Sequence, residues 1–193
     1  MTAHPEAGTP FESAVAELRE TEFRDDITVR EIATPQGLAP FAIALAADVR
    51  PEGDGESVYG TGRFVLLHDP EEPGAWGGSW RIVLFAQAPL ETEIGTDPLL
   101  ADVTWSWLVD ALDSRDAIYH SESGTSTKTL SKGFGGLAIE GDGAQIELRA
   151  SWTPEGPFRP HVEAWAELVG MLAGLPPGSE GIAVIGARKA VRD

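Results

Sequence analysis

A chain of 193 residues with 42% hydrophobic and 23% charged residues is long enough for one domain with a substantial core and a little short for two. Its net charge of −17 repels phosphate and anionic lipid, which argues against binding to nucleic acid or to a membrane surface. The absence of cysteine excludes disulfides, thiolate metal sites and a catalytic thiol. Because neither a signal peptide nor a membrane-length apolar run is present, the sequence predicts a cytoplasmic protein.

The charge is distributed unevenly along the chain. Residues 1–114 hold 21 acids and 6 bases, so −15 of the net charge of −17 lies there. One interpretation is that the acidic surface serves solubility alone. The other is an acidic face that a basic partner uses.

The first helix is the best-marked element. Thr9, Pro10 and Glu12 form a capping-box pattern, which predicts a helix that begins at Pro10 and ends near residue 21. Apolar residues then recur at helical spacing at Phe11, Ala14, Val15 and Leu18.

Four strands are predicted next. They lie near residues 27–29, 41–46, 64–67 and 82–86, and residues 51–57 form a polar loop between the second and the third. In the second strand, alanines at 42, 44 and 46 form a small face on which we expect a helix to pack closely. The third and fourth strands are apolar on both sides, which predicts central strands covered on both faces.

The second half of the chain repeats this alternation. A second helix is predicted from Asp97 and Pro98, followed by strands at 118–131, 134–139 and 145–152, with a hairpin turn at 141–143. A third helix begins near Pro160 and is capped by Gly174. A short edge strand at 182–185 and disordered tails at 1–8 and 187–193 complete the prediction.

This order predicts an α+β fold. It reads helix, four strands, helix, three strands, helix, which favours a mostly antiparallel sheet with about three helices packed on it, in a single domain over residues 1–193.

No pattern in the sequence predicts a metal, a cofactor or a reaction. The four histidines lie apart in the sequence, at His4, His68, His120 and His161, without ligand spacing. No G-x-S-x-G turn is present, and no glycine-rich stretch opens a helix after a strand. The sequence therefore favours a protein that is not an enzyme.

Residues 124–136 are the first candidate binding segment. No acid occurs at residues 123–138, and two of the three lysines, Lys128 and Lys132, lie there. If the segment is extended, Thr125, Thr127 and Thr129 share one face, and both faces are polar. It is either a protected edge strand, a site for a small anion or a peptide, or a mobile loop.

Trp76 is the second candidate. Trp80 is in phase with the apolar positions of the fourth strand, which predicts a core residue, whereas Trp76 lies in an acidic, glycine-rich loop. Trp76 either folds back over the sheet or anchors a partner.

The strings TWSWLVDAL and SGTSTKTLSKGFG, with the region from Trp152 to Trp165, are similar to an actinobacterial family of unknown function, the domain of unknown function 3000. The resemblance spans most of the chain and implies a bacterial cytoplasmic protein without known site residues. At the level of fold, the element order also resembles secretion-chaperone-like proteins, which bind extended peptide segments.

These observations predict a protein- or peptide-binding module, adaptor-like or chaperone-like. The candidate binding residues are Thr125, Thr127, Lys128, Thr129, Lys132 and Trp76. The alternative is a small enzyme or ligand-binding protein for an anionic small molecule, which would need Lys128 or Lys132 beside His68 or His120 and a carboxylate. A structural role in a larger assembly is the third possibility, and its sign would be a large apolar surface patch.

Overall fold

Six antiparallel strands form one sheet in the computed structural model, which describes residues 9–50 and 59–176. The strands are β1 Ile27–Ile32, β2 Phe41–Val49, β3 Gly60–His68, β4 Trp80–Leu90, β5 Ile118–Lys132 and β6 Asp142–Glu155. Their order across the sheet is β1-β2-β3-β4-β6-β5, so β6 lies between β4 and the edge strand β5. The predicted α+β class and antiparallel sheet are confirmed.

The helices lie on one side of this sheet. They are α1 Pro10–Arg19, the short α2 Thr92–Gly95, α3 Leu100–Asp113 and α4 Arg159–Leu172, with a 3-10 helix at Gly135–Glu140. The main core fills the space between helices and sheet, and its largest fully buried side chains are Trp152, Trp165 and Phe64. None of the described helices is both long and apolar enough to cross a membrane.

We call the sheet side under the helices the helix face and the other side the open face. The second strand was predicted to receive a helix on its alanine side, and this is wrong. Ile43 and Leu45 point into the main core on the helix face, whereas Ala44 packs with Val65 and Leu67 in a small cluster on the open face. The close approach of a helix occurs at β3 instead, where a Cβ on Gly62 would lie 2.5 Å from a methyl group of Val169 in α4.

The ends of two helices follow the predicted signals. Thr9 Oγ1 accepts the Glu12 N–H (3.3 Å) and Glu12 accepts the Thr9 N–H (2.7 Å), which completes the capping box of α1. Gly174 has φ +82° beyond α4, and the N–H groups of Gly174 and Leu175 donate back to Met171 and Gly170. This is a Schellman motif, so the predicted glycine cap is confirmed.

The start of α3 differs from its prediction. The helix begins at Leu100 rather than at Pro98, because Asp97 uses its carboxylate to accept the Leu99 N–H (2.8 Å) in a turn. The short α2, which precedes this turn, was not predicted.

The connection between β5 and β6 also differs from its prediction. A strand was predicted at 134–139, but Gly135–Glu140 form a 3-10 helix, and Asp142 and Gly143 belong to β6 instead of a turn. After α3, the described residues therefore form two strands where three were predicted at 118–131, 134–139 and 145–152. The predicted loop at 51–57, the strand at 182–185 and the tails at 1–8 and 187–193 lie outside the described residues.

The open face is less covered than predicted. In β3, Val65 and Leu67 are buried there, but in β4 Val83 is 38% exposed and Phe85 is only half-buried. The prediction of coverage on both sides therefore holds for β3 and is wrong for β4.

Candidate functional site

The predicted binding segment lies on the edge strand β5. β5 pairs with β6 on one side only, and no described strand pairs with its outer side. A register shift interrupts the pairing between His120 and Ser123, and pairing is then regular from Ser123 to Lys132. Most side chains of β5 are exposed, so both of its faces are polar, as expected for an edge strand rather than a core strand.

The candidate side chains of β5 point to different sides of the sheet. Thr125, Thr127 and Thr129 lie on the open face, opposite Arg149, Glu147 and Gln145 of β6. Lys128 lies on the helix face, where its ammonium group donates to the carbonyl of Asp97 at 2.6 Å. Lys132 is exposed and lies opposite Asp142.

Trp76 lies away from these residues. Its side chain is partly buried against the small cluster of Ala44, Val65 and Leu67 on the open face. Its carbonyl accepts a hydrogen bond from the hydroxyl of Thr153 in β6. The loop after β3 is thus folded back over the open face, and the structure does not bring Trp76 together with the β5 residues.

Apolar side chains are exposed where β5 turns towards β6. Phe134 is 74% exposed, Leu137 59% and Ile139 95%, and Leu130 at the end of β5 is 55% exposed. A Cβ on Gly133 would lie 2.2 Å from the carbonyl oxygen of Leu137, so the chain folds tightly on itself there. We call Leu130, Phe134, Leu137 and Ile139 the hairpin tip.

A row of arginines crosses the open face, and sequence reasoning missed it. One cross-strand row runs over all six strands through Arg30, Ala46, Arg63, Phe85, Arg149 and Thr125. We call this set the arginine row. Arg30 is paired with Asp48 (2.5 Å) and Arg149 with Glu147 (2.7 Å); both arginines are exposed, and both carboxylates are partly buried. Arg63 has no ion pair or hydrogen bond within the described part of the chain.

Asp48, which neighbours this row, is held ionised by the groups around it. Burial raises the pKa of Asp48, but hydrogen bonds from Arg30 and Thr61 and the charges of Arg30 and Arg50 outweigh it, so the pKa lies below its ordinary value. Asp48 therefore neutralises Arg30 across the physiological pH range. Among the described residues, the positive charge of the row that lacks an ion-pair partner lies at Arg63.

A shallow concavity of about 780 Å³ surrounds the middle of the row. Its lining residues are Arg63, Val83, Leu84, Phe85, Ser123, Gly124, Thr125, Arg149, Ala150 and Ser151. The Arg149 guanidinium lies 5.8 Å from the centroid of the Phe85 ring, at cation–π distance. The floor is therefore aromatic and aliphatic, with arginines and hydroxyls around it.

A buried arginine supports one end of this concavity. Arg81 donates to the Ser151 hydroxyl (2.7 Å), the Thr153 hydroxyl (3.1 Å) and the Ser121 carbonyl (2.9 Å). Burial lowers the pKa of Arg81, and none of its hydrogen-bond partners is a carboxylate. These three hydrogen bonds tie the irregular part of β5 to β6. Arg81 is thus a second cation of the open face that has no carboxylate partner among the described residues.

An enzyme for an anionic substrate would need a lysine, a histidine and a carboxylate in one cavity. No lysine or histidine lines any of the three described cavities. His68 stacks on Trp80 at 4.1 Å, and His120 lies 3.5 Å from Glu155. His161 is buried and accepts the Trp152 indole N–H (3.1 Å). Nowhere in the described ranges do three histidine, aspartate or glutamate side chains come close enough to hold a metal ion.

A sequence signal for the arginine row existed. Arg30, Arg63, Arg81 and Arg149 all lie within strands, at positions that alternate with core residues. In a chain with only 14 lysines and arginines, four arginines on one side of a sheet are a concentration of charge. The arginine row cannot be found without the strand order and the register, because these bring the four arginines close together.

The fold and these surfaces define a two-layer α+β protein with an edge strand whose outer side pairs with no described strand and with an arginine-bearing sheet face that the described residues cover only in part. The chain belongs to the family described as protein of unknown function (DUF3000), whose model matches residues 7–183. No curated protein and no solved structure matches it. The expected actinobacterial origin and the similarity to secretion-chaperone-like proteins stay predictions.

Proposed function

We propose that the protein is a non-enzymatic binding module of the cytoplasm, in which β5 pairs with an extended segment of another protein. The observation that carries the proposal is the outer side of β5, which pairs with no described strand while the inner side pairs regularly over residues 123–132. An extended segment gains affinity there from backbone hydrogen bonds, as in other cases of strand addition. Such a role is adaptor-like or chaperone-like.

Natural edge strands usually carry protection against such pairing, and β5 carries little. Its bulge lies at residues 120–123, and the ten residues that follow contain no proline, no acid and no further register shift. Lys132 is the one freely exposed cation of this stretch, since Lys128 is bound to the Asp97 carbonyl. This unprotected stretch at residues 123–132 is longer than a typical strand of about 5–6 residues, so it can pair with a partner strand over that strand's whole length.

The hairpin tip supplies the side-chain part of the proposed contact. Phe134, Leu137 and Ile139 follow β5 directly and are exposed, so a segment paired with β5 would reach them at one end. Backbone pairing is weakly selective, whereas apolar side chains in contact select among partner sequences. Residues 123–138 themselves contain no acid and include Lys132, which favours partner segments that carry acids beside an apolar residue.

The test uses a peptide selected from a random library on the purified protein, with alternate backbone amides then N-methylated. In a strand, successive N–H groups point to opposite sides. Methylation of one alternate set should abolish binding, whereas methylation of the other set should leave the affinity within about threefold. Equal tolerance of both sets would show that no strand is added.

The binding position is tested by nuclear magnetic resonance and by substitution. Amide shifts caused by the peptide should follow residues 123–132 and the hairpin tip. Ile139→Ser should weaken binding at least fivefold, and Leu38→Ser, which removes an exposed apolar residue elsewhere, serves as the matched control. Shifts confined to the helices, or equal loss in both variants, would refute β5 as the site.

A further inference from the structure

We infer that the open face carries a second binding surface, centred on Arg63, Phe85 and Arg149, for an acidic protein segment with an apolar side chain between its carboxylates. This surface differs from strand addition at β5, because its centre consists of side chains of β3, β4 and β6 and it needs no backbone pairing at the outer side of β5. The register places Phe85 directly between the two arginines.

Charge is the first argument. The whole chain carries −17, yet the three central cross-strand rows of the open face hold three arginines and two acids. Both acids, Asp48 and Glu147, are already paired within the face. Arg63 is exposed and has no ion-pair partner among the described residues, and the buried Arg81 adds a further positive charge on the same face. A carboxylate that meets Arg63 gains a charge-assisted, bidentate contact.

The apolar floor is the second argument. Phe85 is half-buried and Val83 is 38% exposed, so a flat apolar strip lies between charged side chains without a helix or a described loop above it. An isolated anion would leave this strip unused. A segment that places an aromatic or aliphatic side chain on Phe85 and Val83, with carboxylates on either side, covers the strip and the arginines together.

Shape decides between a small molecule and a protein segment. Ligand pockets for small molecules surround most of the ligand, whereas this concavity of about 780 Å³ is lined by one sheet face alone. A small anion would stay largely in water and bind weakly. An extended segment lying across several strands makes contact along its whole length.

A second copy of the chain is the poorer occupant. Stacking two open faces about a twofold axis would bring two arginine rows towards each other, and like charges at an interface cost free energy. Ser123, Thr125 and Ser151 form a rim that is polar, as expected for a surface that binds a partner reversibly.

The experiment titrates the full chain with a capped peptide that has phenylalanine between two pairs of glutamates. Amide shifts in nuclear magnetic resonance should cluster at residues 63, 83–87, 123–125 and 149–151. The matched peptide with glutamines in place of glutamates should bind at least tenfold more weakly. Shifts elsewhere, or equal affinity of the two peptides, would overturn the inference.

Variants sharpen the result. Arg63→Glu should weaken the glutamate peptide at least tenfold and Arg63→Ala about threefold to tenfold, whereas Arg19→Glu, the same change on the helix layer, should have less than a twofold effect. Arg63→Glu should leave the library-selected peptide on β5 unaffected, which separates this surface from the proposed function. Unchanged binding in Arg63→Glu, or a doubled mass in sedimentation that this substitution abolishes, would show another occupant and refute the inference.

Discussion

At the scale of single residues, His161 makes stability depend on pH. Burial lowers the pKa of His161 to about 4, from an ordinary value of 6.5. The unfolded chain therefore binds a proton between these two values while the folded protein does not, so stability falls as the pH falls through this range. The loss attributable to His161 should reach about 3 kcal/mol at pH 4.

The measurement compares urea unfolding of the wild type and of His161→Gln at pH 7 and pH 4. Glutamine keeps an acceptor for the Trp152 indole N–H, which donates to His161 at 3.1 Å, but it does not titrate. The carboxylates contribute equally to both proteins, so the difference between the two pH dependences isolates His161. An identical loss of stability in the variant would contradict the assignment.

Arg81 stabilises the sheet through the geometry of its hydrogen bonds and not through its charge alone. Its guanidinium spans three acceptors on β5 and β6, a geometry that an ammonium group does not reproduce. Arg81→Lys should therefore lower the free energy of unfolding by about 2 kcal/mol and speed amide exchange at residues 119–124. Arg63→Lys, at an exposed position without a described partner, should change stability by less than about 0.5 kcal/mol. Equal effects in urea unfolding would contradict the proposed support of β5.

At the scale of elements, the contact between α4 and the sheet depends on Gly62. A Cβ at this position would lie 2.5 Å from Val169 Cγ2 and 2.8 Å from Trp165 Nε1. Gly62→Ala should therefore push α4 from β3 and cost about 1–3 kcal/mol in urea unfolding, although alanine is otherwise the better strand residue.

Two variants control this experiment. Gly143 lies in β6 with no atom within 4 Å of a built Cβ, so Gly143→Ala should be neutral or slightly stabilising. In a double-mutant cycle, Val169→Ala should cost less in the Gly62→Ala background than alone, because it removes the clashing methyl group. Strict additivity would show that the two residues do not collide.

Local signals in the sequence predicted the start of α1, the end of α4 and most of the strands. Thr9, Glu12 and Gly174 act through backbone atoms a few residues away, so their effect is readable without the fold. The apolar run at 134–139 was misjudged because Phe134, Leu137 and Ile139 are exposed, and an apolar run is expected to be buried. Nothing local distinguishes an exposed apolar turn from a core strand.

Of the two candidate surfaces, one follows from local sequence signals and the other depends on the fold. The edge position of β5 was among the interpretations of residues 124–136, because polar residues on both faces are a property of the strand itself. The arginine row was not predicted, since Arg63 and Arg149 are 86 positions apart and meet only through the order β3-β4-β6. Likewise, Lys128 looked free until α2 and its following turn placed the Asp97 carbonyl beside it.

At the scale of the whole molecule, the excess of acids should destabilise the folded state through mutual repulsion. The net charge is −17, and many carboxylates lie exposed on the helix layer and loops without an ion pair. Raising sodium chloride from 20 to 300 mM should therefore raise the free energy of unfolding, on the order of 1 kcal/mol, the scale of one close charge pair in water. Urea unfolding at each salt concentration measures it.

The direction in which salt changes the free energy of unfolding shows whether repulsion between acids or attraction within ion pairs dominates. If the exposed ion pairs, such as Arg19 with Glu31, dominated the electrostatics, salt would weaken them and lower stability. A variant with Glu20, Glu22 and Glu71 changed to glutamine removes three exposed negative charges. It should be more stable than the wild type at 20 mM salt and respond less to added salt. If added salt stabilises the variant as much as the wild type or more, the repulsion does not come from these three acids. If added salt lowers the free energy of unfolding of the wild type, attraction between opposite charges prevails.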